Sequence, residues 1–332
     1  MTADTKSKRW IFLIRSILFG AILIAMIMAA GRFLRPPGVD DSVARVKAFH
    51  MLKPDAAEVI VYGSSRALRS VSPQILYNEY GIGAYNYAGN WQKINTTELF
   101  VHDSLKTQSP RIALVEMKNV SHLLWDTEIT GEVYYTQEVP WSLSKMRFLL
   151  QCFRKEPERY ISYLFPVFAT HENWQTMFSD KNLDTRIAWI LKNHGYAPTS
   201  AVKETIFGST EDERRLSAMS EKMLDMIVSE CQAVGAQVVL YVAPSSNDFH
   251  YCAALSEYAA AHNCGFFDGY ALKEEMKIDP LTDYKDKYHL NSSGAAKFTR
   301  RLGRYLKENY ELTDMRGAEG VMWEEALSEA NE

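Results

Sequence analysis

Short apolar runs recur along this chain, and each closes on small or polar residues before a stretch of helical periodicity begins. The first is AEVIVYGSS (Ala57–Ser65), the second GAYNYAGN (Gly83–Asn90) and the third RIALVEMK (Arg111–Lys118). The first and third are apolar without strict alternation. That is the pattern of a strand buried on both faces, as in a parallel sheet flanked by helices. The segments between them read as helices. Ser72 and Pro73 supply an N-cap and a proline at N1, and Asn95–Thr107 follows the second run. After a break the rhythm resumes. A long amphipathic stretch at Glu213–Gly235 precedes a fourth run at Ala236–Pro244. A helix at Tyr251–Gly265, a fifth short run at Phe266–Tyr270 and a last helix capped by Asn291 or Ser292 complete it. This order predicts an α/β fold: a three-layer α/β/α, flavodoxin-like domain over 57–312, with a parallel sheet of about five strands.

The break spans 120–215. It is rich in aromatic residues and helix formers, among them Trp141 and Trp174, and reads as a helical insertion over one edge or the mouth of the sheet. His171 is the histidine in it that merits a test. Upstream, Trp10–Gly31 is an almost unbroken apolar run. As a helix it would extend roughly 33 Å, close to the thickness of a bilayer core. Arg15 lies one turn in, where it can snorkel to the headgroups. Lys6, Lys8 and Arg9 on the near flank predict an uncleaved single-pass anchor with its N-terminus in the cytoplasm and its body outside. A cleaved signal peptide is the rival reading, since small residues close the run. The organisation expected is an anchor at 1–31, a juxtamembrane linker with a short amphipathic helix at 32–56, the domain at 57–312 and an acidic tail at 313–332.

With 332 residues and a net charge of −4, the chain carries no basic footprint for nucleic acid. Its four cysteines, Cys152, Cys231, Cys252 and Cys264, form no C-x-x-C pair and show no ligand spacing with histidine. No metal or other cofactor is expected.

In open parallel sheets ligands bind beyond the carboxyl ends of the strands. Ser64 and Ser65 leave the first strand there, and Gly89 and Asn90 leave the second. Asp286 and His289 fall in the loop before the last helix, able to reach a serine at that edge. A serine hydroxyl needs a base to become a nucleophile. His289 can take its proton, and Asp286 can hold the imidazole in the required tautomer. Backbone N–H groups of Ser65 and Gly89, with the Asn90 side chain, are the candidate oxyanion donors. Arg66 can stabilise an acidic substrate or pair locally. Asp283 reads as a turn cap; Glu116, at the end of the third run, is either a catalytic candidate or a partner of Lys118 or Arg111.

These motifs resemble the SGNH/GDSL hydrolase superfamily. Its nucleophile is the third residue of a first-strand G-D-S, which falls on Gly63, Ser64 and Ser65. Its closing D-x-x-H falls on Asp286 and His289, and its second-block glycine on Gly89. The resemblance implies a catalytic Ser65, Asp286 and His289. The chain departs from the third block, a G-x-N-D, where it has VEMKNV; only Asn119 can substitute. The TDYKDKYHLNSSGAAKFT and AYNYAGN stretches, with the N-terminal anchor, are similar to a membrane-tethered branch. The branch includes the D-alanyl transfer protein of lipoteichoic acid synthesis and the partners of membrane-bound O-acyltransferases. What the branch implies is an extracytoplasmic acyl- or acetyltransferase, or esterase, acting on a cell-surface polysaccharide or teichoic acid. A second reading is a catalytically weak partner of a membrane-bound O-acyltransferase.

Overall fold

The computed structural model describes residues 3–34, 40–122, 136–153, 157–165, 167–170, 183–211 and 214–316. His171 and Trp174 of the insertion lie outside the described residues, as does the tail beyond 316. The described residues group into two compact units, one drawn from 1–40 and 153–181, the other from 41–152 and 182–332.

The first unit is dominated by α1 (Ala3–Phe33). Its Lys8–Gly31 portion, 24 residues, is long and apolar enough to cross a membrane, a property shared by signal sequences. Its large apolar side chains, Trp10, Phe12 and Phe19 among them, are exposed. Among the described residues, short helices at Pro157–Leu164 and Val167–Thr170 also belong to this unit.

The second unit is a mixed α/β body. It begins with α2 (Asp40–His50). Ala44 and Ala48 of that helix pack on Ile190 and Leu191, and Phe49 stacks on Tyr87 at 3.7 Å between ring centroids. The short amphipathic helix is thus part of the core. There follow β1 (Val59–Tyr62), α3 (Ser65–Ser70), α4 (Pro73–Tyr80), β2 (Ala84–Asn86), α5 (Ile94–Ser104) and β3 (Ile112–Glu116). Helices at Leu143–Cys152 and Leu183–Lys192 lie in the region read as an insertion, and a helix at Ala218–Ala233 leads to β4 (Gln237–Val242). A helix at Cys252–Ala261, β5 (Gly265–Asp268) and, at the end, a helix at Ser292–Asn309 complete the alternation.

The five strands are all parallel, in the order β2-β1-β3-β4-β5. That is a doubly wound order whose direction reverses between β1 and β3. Side-chain alternation explains the layers. Val59, Val61, Ile112, Leu114, Val239 and Tyr241 join a buried cluster with Leu68, Leu76, Phe298, Leu302 and Leu306, so α3, α4 and the last helix cover that face. Residues of opposite parity face the other way. Tyr62, for example, shares a 2.6 Å hydrogen bond with Ser104 of α5. Full burial of each large apolar side chain in these layers contributes about 1.5–3 kcal/mol.

The strands are shorter than the runs that announced them, because pairing ends before the glycines and polar residues that turn the chain. The larger difference concerns Asp286 and His289. The structure places them on a two-stranded antiparallel hairpin, β6 (Tyr284–Asp286) and β7 (His289–Leu290), rather than in a loop. Asn291 then caps the last helix, its side chain accepting from the N–H groups of Ser293 and Gly294.

Candidate active site

Two crowded strands fix the turn after β1. Gly63 has φ +139°, and a Cβ there would sit 2.5 Å from the Cβ of Glu116 on β3. Only glycine meets both conditions. Ser64 follows as the N-cap of α3, its hydroxyl accepting from the Arg66 N–H at 3.3 Å. The same hydroxyl donates to Glu116 Oε2 at 2.8 Å. Ser64 is 2% exposed and committed to this role. Ser65, the first residue of α3, is half-buried. Asn86 of β2 holds α3 in place, donating to the carbonyls of Ala67 and Val71 at 2.8 and 3.3 Å.

The hairpin meets this turn. Ser65 Oγ lies 2.8 Å from His289 Nε2. His289 Nδ1 lies 2.8 and 3.0 Å from the two carboxylate oxygens of Asp286. A carboxylate accepts only, so Nδ1 carries the proton, Nε2 is the acceptor, and Ser65 donates to it. Asp286 also accepts from the N–H groups of Tyr288 and His289, which locks the carboxylate against the ring. Burial lowers the pKa of His289 below the usual histidine value; Asp286 opposes this, while Arg69 and Arg66 add to it. For Asp286 burial acts upward, but the Tyr288 N–H and His289 outweigh it and hold the carboxyl below the usual range.

The remaining expected residues fall as follows. Arg66 donates from Nε to the Tyr288 carbonyl at 3.3 Å, and its guanidinium lies 5.8 Å from the Tyr288 ring centroid. It ties the serine turn directly to the hairpin. Gly89 stands beside the same turn, but its N–H donates to the Gly63 carbonyl at 3.0 Å. It is therefore not available as an oxyanion donor. Asn90 is half-buried at the start of the next turn, and no hydrogen bond joins it to Ser65 or His289 among the described residues. The Asn119 side chain donates to the Gln92 carbonyl at 3.0 Å, bracing the loop after β2.

Asp283 is buried and accepts from Asp279 N–H, Ser293 Oγ and Lys297 Nζ. It braces the approach to the hairpin, as a turn cap does. Glu116 pairs with neither expected cation side chain. It takes the Lys118 backbone N–H, whereas Arg111 goes to Glu58. Sequence reasoning missed three contributors. The first is the Ser64–Glu116 bond. The second is Lys118, whose ammonium burial lowers to about 7, with Arg66 adding to the shift and Glu116 opposing it. The third is Ser246, which grips Lys287 within the hairpin. The only signal in the sequence was a pair of charged residues, Glu116 and Lys118, closing an otherwise apolar run.

No protein-family model and no curated protein matches this chain. Among solved structures, a gut microbial diltiazem-metabolizing enzyme superposes with a TM-score of 0.29 and 12% identity. The match covers 77% of this chain and 49% of that one, about half of the enzyme's length. A likeness so slight carries neither fold nor function across.

Proposed function

We propose that the protein is an extracytoplasmic serine-dependent acyl- or acetyltransferase, or the matching esterase, of SGNH type. One observation carries the reading: an unbroken hydrogen-bond chain from Asp286 through His289 to Ser65, at a parallel sheet's carboxyl edge. Its place at the reversal between β1 and β3 is where such sheets bind ligands.

The reaction follows from the geometry. His289 Nε2 accepts the Ser65 proton as Oγ attacks an ester carbonyl, forming a carbon–oxygen bond and a tetrahedral oxyanion. The imidazolium, stabilised by Asp286, gives that proton to the departing alkoxide as its bond to carbon breaks. An acyl-Ser65 remains. Water then releases an acid, or a polymer hydroxyl takes the acyl group, with His289 again accepting the proton. The oxyanion donors are assigned to the Ser65 N–H, which as the first residue of a helix has no intrahelical acceptor, and to the Asn90 side chain. Arg66 and Arg69 add positive charge near His289. The polymer class, a cell-surface polysaccharide or teichoic acid, is supported by the motif resemblance and by the apolar N-terminal helix.

The test is labelling with a serine-reactive phosphonate followed by peptide mass spectrometry. Wild type takes one label on Ser65. Ser65→Ala takes none, and Ser64→Ala still takes it, more slowly. A label on Ser64, or a folded wild type that stays unlabelled, refutes the nucleophile, and partnership with a membrane-bound O-acyltransferase becomes the better reading.

A further inference from the structure

Two charged side chains leave β3 at its carboxyl end, and the reaction above uses neither. Glu116 is 3% exposed and Lys118 8%. The strand before Glu116 is wholly apolar, IALV. Buried charges cost several kcal/mol unless well partnered, and apolar residues of similar size often serve stability equally well. The partners of this pair show what the charges do.

Glu116 Oε2 accepts from Ser64 Oγ at 2.8 Å and from Ser64 N–H at 3.4 Å; Oε1 accepts from Lys118 N–H at 2.8 Å. The carboxylate thus grips the residue that caps α3 and precedes Ser65. Lys118 reaches the other way. Its Nζ donates at 3.0 Å to each of the Asn247 carbonyl, the Asp248 carbonyl and the Tyr270 hydroxyl, three acceptors for the three N–H bonds of an ammonium. The rings of Phe249 and Tyr270 flank it, with centroids 5.0 and 5.4 Å away. Lys118 therefore fixes the loop after β4. In that loop Ser246 donates both its N–H, at 3.0 Å, and its hydroxyl, at 2.5 Å, to the Lys287 carbonyl. Lys287 lies between Asp286 and His289. Pro244, at the start of the loop, takes the Tyr284 hydroxyl of β6 at 3.1 Å.

We propose that the exit of β3 is a yoke joining the two halves of the site: Glu116 positions Ser65 through Ser64, and Lys118 positions His289 through the 247–248 carbonyls, Ser246 and Lys287. Both are positioning residues, remote from the reacting atoms. The need for them is geometric. Ser65 and His289 are 224 residues apart in sequence, and a catalytic pair must be held within about 0.5 Å of its working geometry. The catalytic meaning of the yoke rests on Ser65 as nucleophile and His289 as its base. The linkage itself does not, and can be measured separately.

The experiment uses the full chain in detergent and four proteins beside wild type: Glu116→Gln, Lys118→Met, Ser246→Ala and the Lys118→Met/Ser246→Ala double variant. Two readouts are taken: amide hydrogen exchange at Tyr288 and His289, and the rate of phosphonate labelling. Lys118→Met and Ser246→Ala should each speed exchange at the hairpin and slow labelling by about tenfold. The double variant should be no slower than Lys118→Met, because both act along one path. Glu116→Gln should slow labelling about tenfold and leave exchange at Tyr288 and His289 unchanged. Ser246→Ala removes one half-exposed hydroxyl, so the test survives if Lys118→Met fails to fold. Additive effects, a general rise in exchange across the domain, or wild-type exchange in Ser246→Ala would overturn the yoke. If wild type takes no label, the nucleophile assignment falls, and hairpin exchange alone still decides the linkage.

Discussion

His289 sits between one carboxylate and two guanidinium groups, and its protonation follows from that setting. Burial and the charges of Arg69 and Arg66 disfavour the imidazolium, and Asp286 only partly offsets them. The ring is therefore neutral at physiological pH and ready to take a proton. Labelling of Ser65 should rise with pH to a plateau, with its midpoint below the ordinary histidine pKa of about 6.5. The sign for stability is the same. Between the depressed folded value and about 6.5 the unfolded chain binds more protons than the folded one, so this residue adds stability as pH rises through that window. Its contribution is complete above it. Asp286, also depressed, loses its stabilising contribution as pH falls through its folded value. A midpoint above 6.5 would contradict the setting described. Substitution tests the same unit. His289→Ala and Asp286→Asn should each slow labelling by about 10³-fold or more, Asp286→Asn because an amide favours the wrong tautomer. Their combination should be little worse than the worse single change. A folded His289→Ala that labels normally would remove His289 from the mechanism.

At the scale of elements, the turn from β1 into α3 carries the most constraint. Gly63 must hold φ +139° against the side chain of Glu116. Gly63→Ala should cost about 1–3 kcal/mol in backbone strain alone, with a further cost from the contact at 2.5 Å. A fall of about 5 °C in the thermal midpoint is expected, read by circular dichroism. Labelling should be lost beyond what stability explains, since the shifted turn carries Ser65. Normal labelling in Gly63→Ala would show that the turn tolerates movement. The hairpin β6–β7 makes the complementary point. It is too short to be stable alone and is held by Ser246, by Tyr284 and by Asp283 beneath it. Its order is borrowed from the body.

For the whole molecule, the apolar N-terminal helix and the α/β body call for a definite placement. Lys6, Lys8 and Arg9 precede the apolar run, and positive flanks stay in the cytoplasm. Protease added to intact protoplasts should therefore remove the body and leave a protected fragment containing α1. A fully protected chain would reverse the orientation. A mature chain beginning after Gly31 would mean that the helix is a signal sequence.

The sequence alone determined the α/β class, the parallel sheet and the membrane-length N-terminal helix. Each is written in local periodicity: continuous valine and isoleucine runs, helical spacing between them, and a 24-residue stretch whose apolar character is broken by charge only at Arg15 after Lys8 and Arg9. It also singled out Asp286 and His289, because residue type and one-turn spacing are visible in a string, while the resemblance to a G-D-S motif picked Ser65 from the serine pair. Which strands become neighbours, and which polar groups meet across them, only the tertiary structure decided. Gly89 looked free until the strand order set its N–H against Gly63. Ser64 stood aside from the nucleophile's position in the G-D-S match, but that Glu116 of β3 takes its hydroxyl was not written in the string. The hairpin, the Lys118 anchor and the Ser246 clamp have no periodic signature. They depend on a few hydrogen bonds between segments 40 to 152 residues apart, and such pairings are settled by packing geometry rather than by local preference.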